Sequence, residues 1–131
     1  MRLLLDTHIA IWAIEDSPKF PRLAHSLISE RSNDVFVSVV SLWEIAIKYA
    51  LRGRGAGAIR ISTVEAQRDF TGAGYVILPI LPAHVAMLET LPGLHGDPFD
   101  RMLIAQAFAE PLALLSADAK VQDYSPAIMR L

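Results

Sequence analysis

Cysteine is missing altogether from these 131 residues. Its absence excludes disulfides, thiolate nucleophiles, Fe–S clusters and cysteine-built zinc sites, and it fits a reducing, cytoplasmic compartment. An excess of one charge is missing as well. Twelve Lys and Arg stand against fourteen Asp and Glu, a formal charge of −2, which excludes a strongly basic nucleic-acid coat but leaves a local basic patch open. No apolar run approaches the roughly 18 residues of a membrane helix. Leu3-Leu4-Leu5 near the start is cut off at once by Asp6 and His8, too soon and too polar for a signal-peptide core. Charged residues are only 20% and hydrophobic residues 53%, which excludes disorder and points to some apolar surface meant for a partner. The length suits one domain, 1–131, because two cores would each be too small to stabilise themselves.

What is present is an alternation of short apolar runs and helical patterns. Leu3 to Leu5, Val35 to Val37, Val76 to Leu78 and Leu112 to Leu115 read as buried strands, with a short closing strand near 127–129. Between them, Ile9, Trp12 and Ala13 fall at helical spacing before Ser17-Pro18. Phe20 to Arg31 is amphipathic, and Ser38 or Ser41 caps a helix with Leu42, Ile45, Ala46 and Tyr49 inward. Ser62 and Glu65 fit a capping box, Pro82 to Leu91 is a short helix, and Asp97-Pro98 opens a strong helix through Ala109. The expected fold is α/β, a mostly parallel sheet of about five strands wrapped by helices. Sites in such folds form outside the carboxyl ends of the strands, near a switch in strand order.

Four acids fall at that rim. Asp6 follows the first strand and Asp118 the fourth. Asp100 lies in the first turn of the helix leading to the fourth strand, and Glu44 lies early in the helix after the second. Several carboxylates within a few ångströms repel one another and raise their pKa values, so such a cluster needs a neutraliser. With oxygen donors only, that is a hard divalent cation, Mg²⁺ or Mn²⁺, an arrangement suited to attack on phosphodiesters. Each acid also has a bland reading: Asp6 or Thr7 as a helix cap, Ser41 to Glu44 as a capping box, Glu44 and Lys48 as an i,i+4 surface pair, Asp97 as N-cap with Asp100 at N3, and Asp118 as cap of a short turn.

Leu4-Leu5-Asp6-Thr7-His8, Ser41-Leu42-Trp43-Glu44-Ile45-Ala46-Ile47-Lys48, Asp97-Pro98-Phe99-Asp100-Arg101 with the helix after it, and Leu115-Ser116-Ala117-Asp118 together resemble the PIN-domain family. More closely, they are similar to the toxin ribonucleases of VapBC-type bacterial toxin–antitoxin systems. The resemblance implies a site of Asp6, Glu44, Asp100 and Asp118 that binds Mg²⁺ or Mn²⁺ and cleaves RNA. It also implies a toxin homodimer and a small cognate antitoxin whose tail covers a groove. Asp97 is either an N-cap or an outer contributor to the site. Ser116 and Thr7 are candidates to support the acids, the Ser116 hydroxyl by a hydrogen bond to a carboxylate or to a metal-bound water.

Weaker candidates surround this set. Arg52, Arg54 and Arg60, in a Gly/Arg-rich stretch, are read equally as phosphate contacts or as a solvated connector. Arg101 is a candidate to pair with a neighbouring acid or to contact a phosphate. His8 and His95 flank the acidic motifs, His25 and His84 receive no role, and Trp12 and Trp43 read as core packing and not as base-stacking platforms. Two rivals stand beside the nuclease reading. One is a non-catalytic interaction module whose acids are only caps. The other is a Mg²⁺-dependent phosphotransferase or phosphatase with Asp6 as nucleophile, although haloacid-dehalogenase-type enzymes carry a second Asp where this chain has His8.

Overall fold

The computed structural model describes residues 1–53, 59–93, 96–122, 124 and 129–130. Arg54, His95 and residues 127 and 128 of the expected closing strand lie outside the described residues. The elements run β1 (Arg2–Leu5), α1 (Thr7–Glu15), α2 (Arg22–Ser29), β2 (Asp34–Ser38), α3 (Val39–Ala50), α4 (Thr63–Gly72), β3 (Val76–Leu78), α5 (Pro82–Leu88), α6 (Pro98–Ala109), β4 (Ala113–Ser116), α7 (Ala119–Gln122) and β5 (Met129–Arg130). All four strand pairings are parallel and the order is β3-β2-β1-β4-β5, so every carboxyl end meets the same rim. The chain builds outward from β1 to β3, then returns to place β4 on the other side of β1. The switch in strand order therefore lies between β1 and β4, where Asp6 and Asp118 leave the sheet.

The period-2 alternation of a strand divides the core between two faces. Leu3 and Leu5 pack with Val35, Val37 and Leu115 beneath Ile9 of α1, Ala24 of α2, Ile45 of α3 and Phe70 of α4. Leu4 and Leu114 point the other way, against Leu103, Ile104 and Ala107 of α6 and Val121 of α7. Leu3, Leu4 and Leu5 are each fully buried, as a strand covered on both sides requires. Burying one such leucine contributes about 1.5–3 kcal/mol, so this apolar triplet anchors the centre of the sheet. Among the described residues, no helix is long and apolar enough to cross a membrane.

At α3 one of two expected caps is chosen, and the capping box, the inward Ala46 and the packed Trp43 are corrected. Ser38, not Ser41, caps α3, its hydroxyl accepting from the Val40 N–H at 2.9 Å. With the helix starting at Val39, Glu44 is too far along it for a capping box. Ser41, Leu42 and Ile45 turn inward, while Trp43 and Ala46 turn out. Trp43 is 51% exposed and meets the Phe99 ring edge-on at 4.9 Å, so it is a surface residue and not core packing.

Candidate active site

Each acid is positioned by the start of a helix or by its inward face. Asp6 ends β1 and caps α1, its Oδ1 accepting from the Ile9 N–H at 2.9 Å. The Ser116 hydroxyl at the end of β4 hydrogen-bonds the same carboxylate. Asp97 caps α6 by accepting from the N–H groups of Phe99 and Asp100 at 2.9 and 3.1 Å, and Pro98 at N1 gives up no donor the helix needs. That cap sets Asp100 in the first turn. Asp118 accepts from the Lys120 N–H at 2.9 Å, and its own N–H donates to Ser116 Oγ at 3.1 Å. Thr7 donates to the buried Ser41 hydroxyl at 2.9 Å, tying the start of α1 to α3. The capping readings of Asp6, Asp97 and Asp118 are thus correct, and they do not compete with convergence: the caps aim these carboxylates at one place.

That place is a cavity of about 160 Å³ lined by Asp6, Thr7, His8, Glu44, Lys48, Asp97, Asp100 and Asp118. Asp6 and Glu44 form its buried floor, while Asp118 is exposed at its mouth. Burial pushes the Asp6 carboxyl above the usual carboxylate range. The Ser116 hydroxyl, the Ile9 N–H and His8 oppose that rise, and the charge of Glu44 adds a smaller push upward. Desolvation, rather than the mutual repulsion expected from the sequence, is therefore the main cause.

Glu44 is 3% exposed. Its Oε2 meets the Lys48 ammonium at 2.6 Å, and its Oε1 is buried without a hydrogen-bond partner among the described residues. The pair is i,i+4 as expected, but it is no surface pair: its acid belongs to the cavity floor. An all-oxygen donor set and an orphaned carboxylate oxygen suit a hard divalent cation. Among the described residues, no group of three or more His, Asp or Glu side chains is gathered closely enough to hold a metal as it stands. The charge on Glu44 is balanced by Lys48 instead.

The sequence model of the PIN domain matches residues 3–125, nearly the whole chain and all four acids. The chain belongs to the PIN-domain family. No curated protein matches it significantly. Its fold is similar to VapBC from Salmonella typhimurium bound to DNA, with a TM-score of 0.67 and 18% identity over 100% of this chain and 97% of that one. It is likewise similar to VapBC2 from Rickettsia felis bound to a promoter DNA fragment, with a TM-score of 0.63 and 17% identity over 100% and 98%. A toxin–antitoxin complex from Klebsiella pneumoniae matches with a TM-score of 0.65 and 16% identity over 97% and 95%. At these identities the likeness is one of fold.

The remaining candidates take varied places in this PIN domain. Arg101 donates to the Pro92 carbonyl and to the Tyr124 hydroxyl, each at 2.9 Å, so it joins the segment before α6 to the chain after α7. Arg52 lies over the Tyr49 ring at 4.0 Å and donates to the Tyr49 carbonyl, the geometry of a helix-end staple. Arg60 is exposed and lines a separate cavity with His8, Trp12 and Lys19. Trp12 is half-buried: it packs on the core, as expected, and also walls two cavities.

His84, given no role in the sequence, is fully buried between α5 and α6. Its Nδ1 accepts from the Leu81 N–H at 3.0 Å and faces Gln106 Nε2 at 3.2 Å, so Nε2 carries the proton and donates to Glu110. The spacing of Leu81 and His84 at a helix start was the available signal. The partners on α6 and beyond lie 22 and 26 residues away and left none.

Proposed function

We propose that this PIN domain, spanning 1–131, is a metal-dependent endoribonuclease, the toxin of a cytoplasmic toxin–antitoxin pair. The observation that carries the reading is the convergence of Asp6, Glu44, Asp100 and Asp118 on one cavity whose floor contains an orphaned carboxylate oxygen. These four residues would hold Mg²⁺ or Mn²⁺. When bound, the cation supplies a lowered pKa for water and charge neutralisation as a phosphodiester is hydrolysed. The chain's own groups do the rest. Ser116 and the Ile9 N–H hold the Asp6 carboxylate in one orientation. A carboxylate not engaged by the cation would take the proton of the attacking water, and Asp118, exposed at the mouth, and Asp97 at the start of α6 are the two candidates.

The similarity in fold to toxin–antitoxin complexes supports a small protein partner for this chain, while a homodimer is proposed on the family resemblance alone. Cleavage of an RNA panel with Mg²⁺, Mn²⁺ or chelator tests the activity. Metal-dependent cleavage that Asp6→Asn and Asp100→Asn reduce by at least about 10²-fold is expected, with their melting curves intact. Cleavage indifferent to chelator, or to both substitutions, rejects the reading. A phosphorylated Asp6 trapped with a phosphate-ester substrate would favour the phosphotransferase instead.

A further inference from the structure

His8 walls three cavities in succession. The first is the acidic cavity. The second, of about 210 Å³, has Asp6 and Asp118 at its inner edge and Ile9, Trp12 and Ala117 as its apolar lining. The third, of about 350 Å³, shares His8 and Trp12 with the second and is lined in addition by Glu15, Lys19 and Arg60. His8, Trp12 and Glu15 follow one another at i, i+4 and i+7, so one face of α1 forms the wall of all this space. The His8 and Trp12 rings stand 5.9 Å apart and are inclined by 31°, presenting an aromatic surface beside the acids.

The order along this path is acidic, then apolar and aromatic, then mainly basic. That order complements a nucleotide chain: phosphate at the acids and their cation, a flat base in the apolar pocket, the next phosphate at Lys19 and Arg60. The middle pocket is smaller than the roughly 300 Å³ at which pockets for drug-sized ligands begin, which suits one planar ring system. From this juxtaposition we infer that the pocket of His8, Ile9, Trp12 and Ala117 is a nucleobase subsite for single-stranded RNA next to the scissile phosphate, with Lys19 and Arg60 holding the phosphate beyond it. The inference rests on the ribonuclease reading. Stacking on an indole is available to every base, so the subsite contributes affinity and a size preference more than a sequence code.

Trp12 reports on its own occupancy. The chain has two tryptophans, and Trp43→Phe leaves Trp12 as the sole indole emitter. Short labelled single-stranded RNAs are titrated into that variant with Ca²⁺, a hard cation that accepts irregular oxygen geometry. Label anisotropy reports binding and indole emission reports the pocket. Base-bearing RNA is expected to quench Trp12, and the same backbone built of abasic nucleotides is expected to leave it unchanged. Trp12→Ala should weaken binding about tenfold and Trp12→Phe should restore most of it. Lys19→Ala with Arg60→Ala should flatten the salt dependence. RNA that binds without quenching, or abasic RNA that quenches equally, overturns the subsite while leaving the ribonuclease reading intact. Quenching by the antitoxin's tail but not by RNA assigns the pocket to a protein side chain and also overturns it. Flat anisotropy, together with no cleavage, fails both readings at once.

Discussion

Two buried polar clusters sit in this small domain, and they are built on opposite terms. Around His84, a donor meets an acceptor at nearly every step: the Leu81 N–H to Nδ1, Nε2 to Glu110, Gln106 Nε2 to the Pro79 carbonyl at 3.2 Å. Around Asp6 and Glu44, like charges face one cavity and a half-buried lysine supplies the balance. Among the described residues, each cluster keeps one unpartnered buried oxygen, Gln106 Oε1 in the first and Glu44 Oε1 in the second. The difference lies in what surrounds that oxygen. Complementary partners make the first cluster a lock between α5 and α6. Concentrated acids make the second a place that stability alone would not select.

The sharpest way to break this contrast is to truncate each cluster in turn. His84→Ala leaves a cavity, strips the Leu81 N–H of its acceptor and leaves Glu110 without its donor. A loss of about 2–4 kcal/mol is expected in chemical denaturation, with cleavage per folded molecule little changed. Asp100→Asn should do the reverse, leaving metal-free stability equal to the parent or higher while removing activity. Equal destabilisation by both would mean that the acids are ordinary structural caps.

Lys48 sharpens the comparison further, because its ammonium meets the Glu44 carboxylate of the acidic floor. Lys48→Met removes the partner of Glu44 and should cost about 1–2 kcal/mol with chelator, discounted because Lys48 reaches solvent. If Lys48 stands where a divalent ion's charge acts, Mn²⁺ should raise the melting temperature of this variant more than that of the parent. A smaller Mn²⁺ shift in the variant would make Lys48 a helper in cation binding rather than a competitor.

The sequence is most legible where the controlling chemistry is local. Asp97-Pro98 announces α6 because an N-cap and a proline at N1 are adjacent in the chain, and the helix ends at Ala109 as expected. The Ser62–Glu65 capping box forms for the same reason. That Asp6 and Asp118 would line one cavity was legible because parallel strands send their carboxyl ends to one rim, whatever the loops between them do. Other features were set by distant packing. Trp43 faces outward because β2 runs straight into α3 and Ser38 sets the phase of the helix. Glu44 and Lys48 have surface-pair spacing, yet the inward turn of α3 buries the acid. His84 depends on partners beyond the reach of any local pattern. Pro82 to Leu91 shortens to α5, ending at Leu88, where the Glu89 N–H turns back to the Ala86 and Met87 carbonyls.

The smallest expected effect tests the electrostatics of the floor itself. Burial raises the folded-state pKa of Asp6 above the unfolded value of about 3.9. The native protein therefore holds the Asp6 proton over a range where the unfolded chain has lost it. Its contribution to stability is fully present below the unfolded pKa and falls as pH rises through the folded one. With chelator, the parent should thus lose stability on going upward in pH from about 4. Asp6→Asn should flatten that slope, and because Asn still caps a helix the comparison isolates the charge. A cation that binds the ionised carboxylate should restore stability at the upper end of the window in the parent and do less in the variant. Denaturation midpoints from pH 4 to 8, with chelator and with Mg²⁺, make the measurement. A slope that is the same in parent and Asp6→Asn would show that ionising Asp6 adds no strain to the fold. The acidic cluster would then differ from the His84 cluster in composition alone.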